Sequence, residues 1–111
     1  MHTASLITKK CIPCEGSAQP LQAQAIEEYR SELKLEWEVI DDKKISRLFK
    51  FKNFKEAMAF VNKVAQLAEE EGHHPDISIS WNKVTLELTT HAIGGLSEND
   101  FILASKIEQF L

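Results

Sequence analysis

Cysteine is scarce in this chain. Cys11 and Cys14 form a single CxxC and the rest of the sequence has none, so a disulfide framework built from several spaced pairs is excluded. An excess of positive charge is also missing. The 111 residues carry 13 Lys and Arg against 17 Asp and Glu, a formal net charge of −4. That balance argues against a protein that grips nucleic acid through its phosphates. No apolar run approaches the ~18 residues that a membrane-spanning helix needs. The stretch from Met1 to Lys10 lacks the apolar segment of a secretory leader. The expectation is a cytoplasmic protein with no membrane or nucleic-acid partner.

What is present suits one folded domain. Hydrophobic residues make up 43% and charged residues 27%, which leaves no reason to expect wholesale disorder. A core of this size is modest, and oligomerisation would add burial. Residues 1–19 hold Pro13, Gly16 and small polar residues without periodicity, and read as a flexible N-terminal arm. Residues 20–111 read as the domain.

Pro20 suits the first position of a helix. Leu21, Ala25, Ile26, Tyr29 and Leu33 recur at helical spacing, so the first helix is expected to run to about Leu33. Leu35, Trp37 and Val39 alternate with Glu36 and Glu38, and Ile45, Phe49 and Phe51 continue the alternation after the polar turn Asp41-Asp42-Lys43. That pattern predicts a hairpin. Asn53 and Glu56 form a capping-box-like start. The apolar stripe Phe54, Ala57, Met58, Val61, Val64, Ala65 and Ala68 follows, closed by Gly72. Ile77, Ile79 and Trp81, then Val84, Leu86 and Leu88, predict a second hairpin with Asn82-Lys83 as its turn. After a loop holding Gly94-Gly95, Ser97 and Asp100 cap a last helix that runs to the C-terminus. The fold class is α+β, a four-stranded antiparallel sheet with helices on one face, in the order α-β-β-α-β-β-α.

Three of the four histidines, His73, His74 and His91, stand at the open end of the second hairpin. With Asn82-Lys83 as the turn, Trp81 faces Val84, Pro75 faces Thr90 and His74 faces His91. Directly opposed residues have Cβ atoms about 4.5–5.5 Å apart. Pro75 donates nothing to a ladder and suits the first position of a strand, and it holds His74 out of the helical region. Imidazoles titrate near neutral pH, and a positioned general acid or base contributes about 10²–10⁴ in rate. A lone histidine is usually a hydrogen-bonded surface residue, whereas three converging beside a glycine-rich loop point to function. Three histidines also suit zinc, but neighbours such as His73 and His74 point to opposite faces when extended. Metal-free acid–base chemistry is therefore the preferred reading. His2 has no assigned role.

The run Gly72-His73-His74-Pro75, then Trp81, Lys83-Val84, Thr90-His91, Gly95-Leu96-Ser97 and Asp100 resembles the signature of the pterin-4a-carbinolamine dehydratases. Trp37 matches a family tryptophan, and the resemblance extends from about Leu21 to Leu111. It implies an enzyme, a hydro-lyase, that converts 4a-hydroxytetrahydrobiopterin to quinonoid dihydropterin and water. That step recycles the tetrahydropterin consumed by an aromatic amino acid hydroxylase. It further implies a homodimer or homotetramer with no cofactor. In animals the family also serves as a dimerisation partner of a homeodomain transcription factor.

Carried onto this sequence, the resemblance assigns His73, His74 and His91 as catalytic. His73 and His91 would be the general acids for the departing hydroxyl and His74 the residue that orients the pterin. Glu69, Pro75 and Trp37 are the implied substrate-binding residues, and Asp100 a supporting one. Glu69 is equally an ordinary solvated helix residue. Trp37 and Trp81 either flank the pterin or fill the core. Some members carry an acidic residue where this chain has Gly72.

Cys11 and Cys14 supply too few ligands for a structural zinc site, and Pro13 in an irregular arm does not resemble a redox motif opening a helix. Two free thiols are expected. The alternative to the enzyme is a non-catalytic dimerisation or regulatory module on the same fold, which has no physical need for three converging imidazoles.

Overall fold

The computed structural model describes residues 6–12 and 19–111. His2, Pro13 and Cys14 lie outside the described residues. The elements are α1 (Ala23–Arg30), β1 (Glu38–Ile40), β2 (Lys44–Lys50), α2 (Phe54–Glu71), β3 (Asp76–Ser80), β4 (Lys83–Leu88) and α3 (Glu98–Ile107). Short 3-10 turns lie at Leu6–Thr8, His91–Ile93 and Glu108–Phe110. The sheet has the order β1-β2-β4-β3 with every neighbour antiparallel. This is the α+β architecture that the alternation of strands and helical stripes leads one to expect.

One face of the sheet carries the core. Ile45 and Phe49 of β2 stand opposite Leu88 and Val84 of β4, and all four are buried with Leu86 under the helices. The other face shows Leu48 to solvent. Asn53 caps α2 through its Oδ1, which accepts the Glu56 N–H at 2.9 Å. The stripe of α2 lies on a slightly different line from the one expected. Phe54 and Ala65 are exposed, while Phe60 and Leu67 are buried beside Ala57, Val61, Val64 and Ala68. Phe60 is drawn inward by aromatic contacts with Phe49 and Phe51, with ring centroids 4.9 and 5.0 Å away.

The first helix is shorter than its apolar spacing suggests, for reasons at both ends. The Leu21 N–H donates to the Leu96 carbonyl at 2.8 Å, which ties Pro20-Leu21 to the glycine loop instead of to a helical turn. Beyond Arg30 the chain tightens into bonds from Glu32 to Tyr29 and from Leu33 to Arg30. The Lys34 and Leu35 N–H groups then donate to the Glu108 carboxylate, both at 2.9 Å. Pairing in β1 starts at Glu38.

The second hairpin corrects the expected register. Ser80 pairs with Lys83, so the turn is Trp81-Asn82. The Asn82 carbonyl accepts the Phe51 N–H and its side-chain amide donates to the Phe51 carbonyl, each at 2.8 Å. Those bonds seat Asn82 at the end of β2, and Trp81 takes a positive φ of 49° in the turn with its ring exposed. The β3–β4 ladder ends at Asp76 and Glu87, so His74 does not face His91 across it.

Within residues 1–19, expected to form an arm, the described stretch 6–12 lies against the domain. Leu6 is 2% exposed within the core and Cys11 is buried, and this segment packs chiefly on α3.

Candidate functional site

The site is assembled where α2 ends, β4 ends and α3 begins. Gly72 closes α2 in the left-handed region at φ +68°, a conformation that glycine adopts without strain. The chain turns there and presents His73 and His74 before Pro75 enters β3. On the other side, Thr90 bridges to Gly95, and the loop between them holds His91 in its 3-10 turn. Gly95 is required by packing, because a Cβ there would lie 2.7 Å from Pro20 Cβ. His73, His74 and His91 line one cleft of about 280 Å³ together with Ile12, Gly72, Thr89, Thr90, Ala92 and Asn99. The three histidines thus converge as expected, through the Thr90–Gly95 loop and not through ladder pairing.

The three imidazoles differ in their surroundings. His73 is largely buried, and its Nε2 lies 2.6 Å from Asp100 Oδ1. Asp100 is 0% exposed. Its Oδ2 accepts the Thr90 hydroxyl at 2.8 Å and the Ser97 N–H at 3.0 Å. Because the Thr90 hydroxyl proton is engaged there, the Ser97 hydroxyl serves as donor in the 2.7 Å contact between the two side chains. The other two partners of Asp100 are donors, and an ionised carboxylate only accepts. The short contact is then satisfied with the proton on Nε2 of His73, and Nδ1 is the ring's other nitrogen.

His74 is exposed, and its Nε2 lies 2.6 Å from Glu69 Oε2, one turn back on α2. His91 is exposed, and among the described residues nothing hydrogen-bonds its ring.

Trp37, an implied pterin contact, is not brought to this cleft. It is 1% exposed, stands edge-on to Phe49 at 5.8 Å, and donates its indole N–H to Glu108 Oε2 at 3.0 Å. It fills the core. Trp81, exposed at the far end of β3, is not among the cleft-lining residues either. Pro75 is half-buried between the histidines and β3 and stands outside the lining. A larger depression of about 800 Å³ lies on another part of the molecule, by Arg30, Glu36 and Arg47, and holds none of the histidines.

Reading the sequence assigned Asp100 no more than a supporting, capping role. The capping box is present, but it occupies only one of the two carboxylate oxygens. The contact of the other with His73, 27 residues away, leaves no local signal. Asn99 and Ile12 were missed as well. Asn99 is buried at the start of α3, and its amide meets the Ile12 backbone.

Cys11 is a free thiol. Burial, reinforced by the adjacent Glu71 carboxylate, pushes it up to about 12, so it stays protonated near neutral pH. Among the described residues no three His, Cys, Asp or Glu side chains are grouped so as to hold a metal ion. None of the helices among them is long and apolar enough to cross a membrane.

Residues 19–110 match the family described as Pterin 4 alpha carbinolamine dehydratase. A protein of Alkaliphilus metalliredigens, provisionally named a pterin-4-alpha-carbinolamine dehydratase, is 52% identical over 105 residues, covering 95% of each chain. One from Rickettsia bellii, with the same provisional name, is 49% identical over 106 residues, covering 96% of this chain and 94% of its own. The crystal structure of a Brucella melitensis protein described as a transcriptional coactivator/pterin dehydratase superposes with a TM-score of 0.76 at 33% identity. It covers 82% of this chain and 97% of that one. A pterin dehydratase-like protein described as a RuBisCO assembly factor in the alpha-carboxysome shares the fold, with a TM-score of 0.59 at 23% identity over 68% of this chain and 89% of that one.

Proposed function

The chain belongs to the pterin-4a-carbinolamine dehydratase family, and from that premise we propose that it dehydrates 4a-hydroxytetrahydropterin to quinonoid dihydropterin. The observation that carries this reading is the gathering of His73, His74 and His91 around one cleft, with His73 held by a fully buried carboxylate. A binding module on this fold would not need such an arrangement, and the fold alone does not decide between the two.

The reaction is an elimination. The C4a–O bond breaks, the hydroxyl leaves as water with one added proton, and loss of the N5 proton completes the C4a=N5 double bond. His73 and His91 are the acids that supply the proton to the leaving hydroxyl, each from its own side of the ring. Asp100 holds the ring of His73 through Nε2, which leaves Nδ1 as the nitrogen that gives the proton. His91, whose ring has no hydrogen-bond partner among the described residues, has a nitrogen to offer the substrate. His74, braced by Glu69, binds and orients the pterin, with Pro75 holding the pair of histidines clear of the helix. The scheme consists of proton transfers and the loss of water, with no oxidation or reduction, and it requires no cofactor.

The same reading takes the protein as a cytoplasmic homo-oligomer that serves an aromatic amino acid hydroxylase. The decisive assay follows the absorbance of freshly generated 4a-hydroxytetrahydropterin with and without the protein, and with and without a chelator. Acceleration that resists the chelator is expected. A folded protein giving only the spontaneous rate would overturn the enzyme and favour the binding module. His74→Ala should raise KM more than it lowers kcat; lost turnover with unchanged KM would contradict the orienting role.

A further inference from the structure

The N-terminal segment ends, where it is described, at the histidine cleft, and it is fastened there at several points. Leu6 fills a place in the core. Lys9 Nζ meets Glu98 Oε2 at 2.5 Å. The Cys11 N–H donates to Glu71 Oε1 at 2.9 Å, and Glu71 is itself paired with Lys106 at 2.7 Å.

The last fastening is the most specific. Asn99 Oδ1 accepts the Ile12 N–H at 3.0 Å while Asn99 Nδ2 donates to the Ile12 carbonyl at 2.5 Å. A buried side-chain amide thus satisfies both main-chain groups of a single residue, which fixes that residue's backbone.

The side chain held in this way is not buried. Ile12 is 68% exposed and lines the cleft with the three histidines. Holding a large apolar group rigidly against water forgoes the gain from burying it, unless a ligand covers it. The other cleft residues offer mainly polar atoms and imidazoles, while ligand sites combine apolar walls with a few placed polar groups. A flat heteroaromatic ring seated at the histidines would find its apolar contact here.

We propose that Ile12 is a substrate-binding residue that forms the apolar wall of the pterin site, and that Asn99 is a positioning residue acting through it. The inference rests on the pterin reading above and adds to it a binding element from the N-terminal segment.

The test uses the full chain, with steady-state dehydration and the binding of a stable oxidised pterin measured side by side. Ile12→Ser should raise both KM and the pterin Kd about tenfold, the effect of losing part of one apolar contact, with kcat within about twofold. Ile12→Leu should restore both. Asn99→Ala should raise KM in the wild-type background and add little in the Ile12→Ser background, because it acts through the same side chain. A folded Ile12→Ser protein with unchanged KM and Kd overturns the role of Ile12 and leaves the pterin reading standing. An intact protein that neither binds nor turns over pterin overturns that reading and this inference with it.

Discussion

Asp100 and Glu108 are both buried carboxylates at opposite ends of α3, and each accepts three hydrogen bonds. Asp100 takes the Ser97 N–H, the Thr90 hydroxyl and the His73 ring. Glu108 takes two backbone N–H groups and the Trp37 indole. The difference lies in what the partners can do. Amides and an indole hold their protons throughout the accessible pH range, so Glu108 can only fasten the segment leading into β1 against α3. Imidazole can gain and lose a proton, so Asp100 is coupled to a group able to do chemistry at a cleft. Burial of a charge therefore does not by itself mark function; the chemistry of its partners does.

Asp100→Ala should have the largest combined effect on stability and turnover. Removing one partner from a buried pair typically costs about 3–5 kcal/mol of stability, and a misaligned His73 should also lose part of the ~10²–10⁴ that a positioned acid provides. Asp100→Asn separates the two effects: turnover should fall at least about tenfold while most of the stability remains. Urea unfolding beside the dehydration assay reads both. Glu108→Ala should cost about 2–3 kcal/mol, since it leaves buried donors unpaired, with kcat/KM unchanged. A large loss of turnover in the folded Glu108 variant would break the contrast.

Glu71 is a third carboxylate, and it sharpens the comparison through pH. Burial pushes its pKa up, but hydrogen bonds from Lys106 and the Cys11 N–H, with the charge of Lys106, outweigh that and hold it below its ordinary value of 4.5. Its folded pKa is thus lower than its unfolded one. The stabilisation is full above about pH 4.5 and is lost as pH falls through the folded value. Glu71→Gln should flatten the acid side of the stability–pH curve, with a loss of about 1 kcal/mol at neutral pH. Glu69→Gln should have the smallest effect. That carboxylate is exposed beside an exposed His74, and solvent-exposed pairs contribute little, so a KM change of less than about threefold is expected and no change in melting temperature.

Much of this was legible in the sequence. Alternation located all four strands, and the Asn53 and Ser97 caps located the starts of α2 and α3, because each signal is local. The three histidines were placed together even though the register was off, since a glycine loop returns the chain to the same strand end by another path. What escaped depended on contacts distant in sequence. The turn at Trp81-Asn82 is set by hydrogen bonds exchanged between Asn82 and Phe51, and α1 is cut short by Leu96 at one end and Glu108 at the other. Trp37 alternates like any core or cleft residue, and its burial against Phe49 with its indole bond to Glu108 assigns it to the core. The docking of residues 6–12 depends on single side chains of α2 and α3, Glu71, Glu98 and Asn99, which no periodicity reveals.

The most direct measurement is dehydration of each C4a stereoisomer of 4a-hydroxytetrahydropterin by the intact protein, by His73→Ala, by His91→Ala and by the double variant. Two acids working from opposite sides should give complementary losses of about 10² or more, His73→Ala on one isomer and His91→Ala on the other, with the double variant slow on both. A folded double variant that dehydrates either isomer at the intact protein's rate would contradict histidine acid catalysis in this cleft.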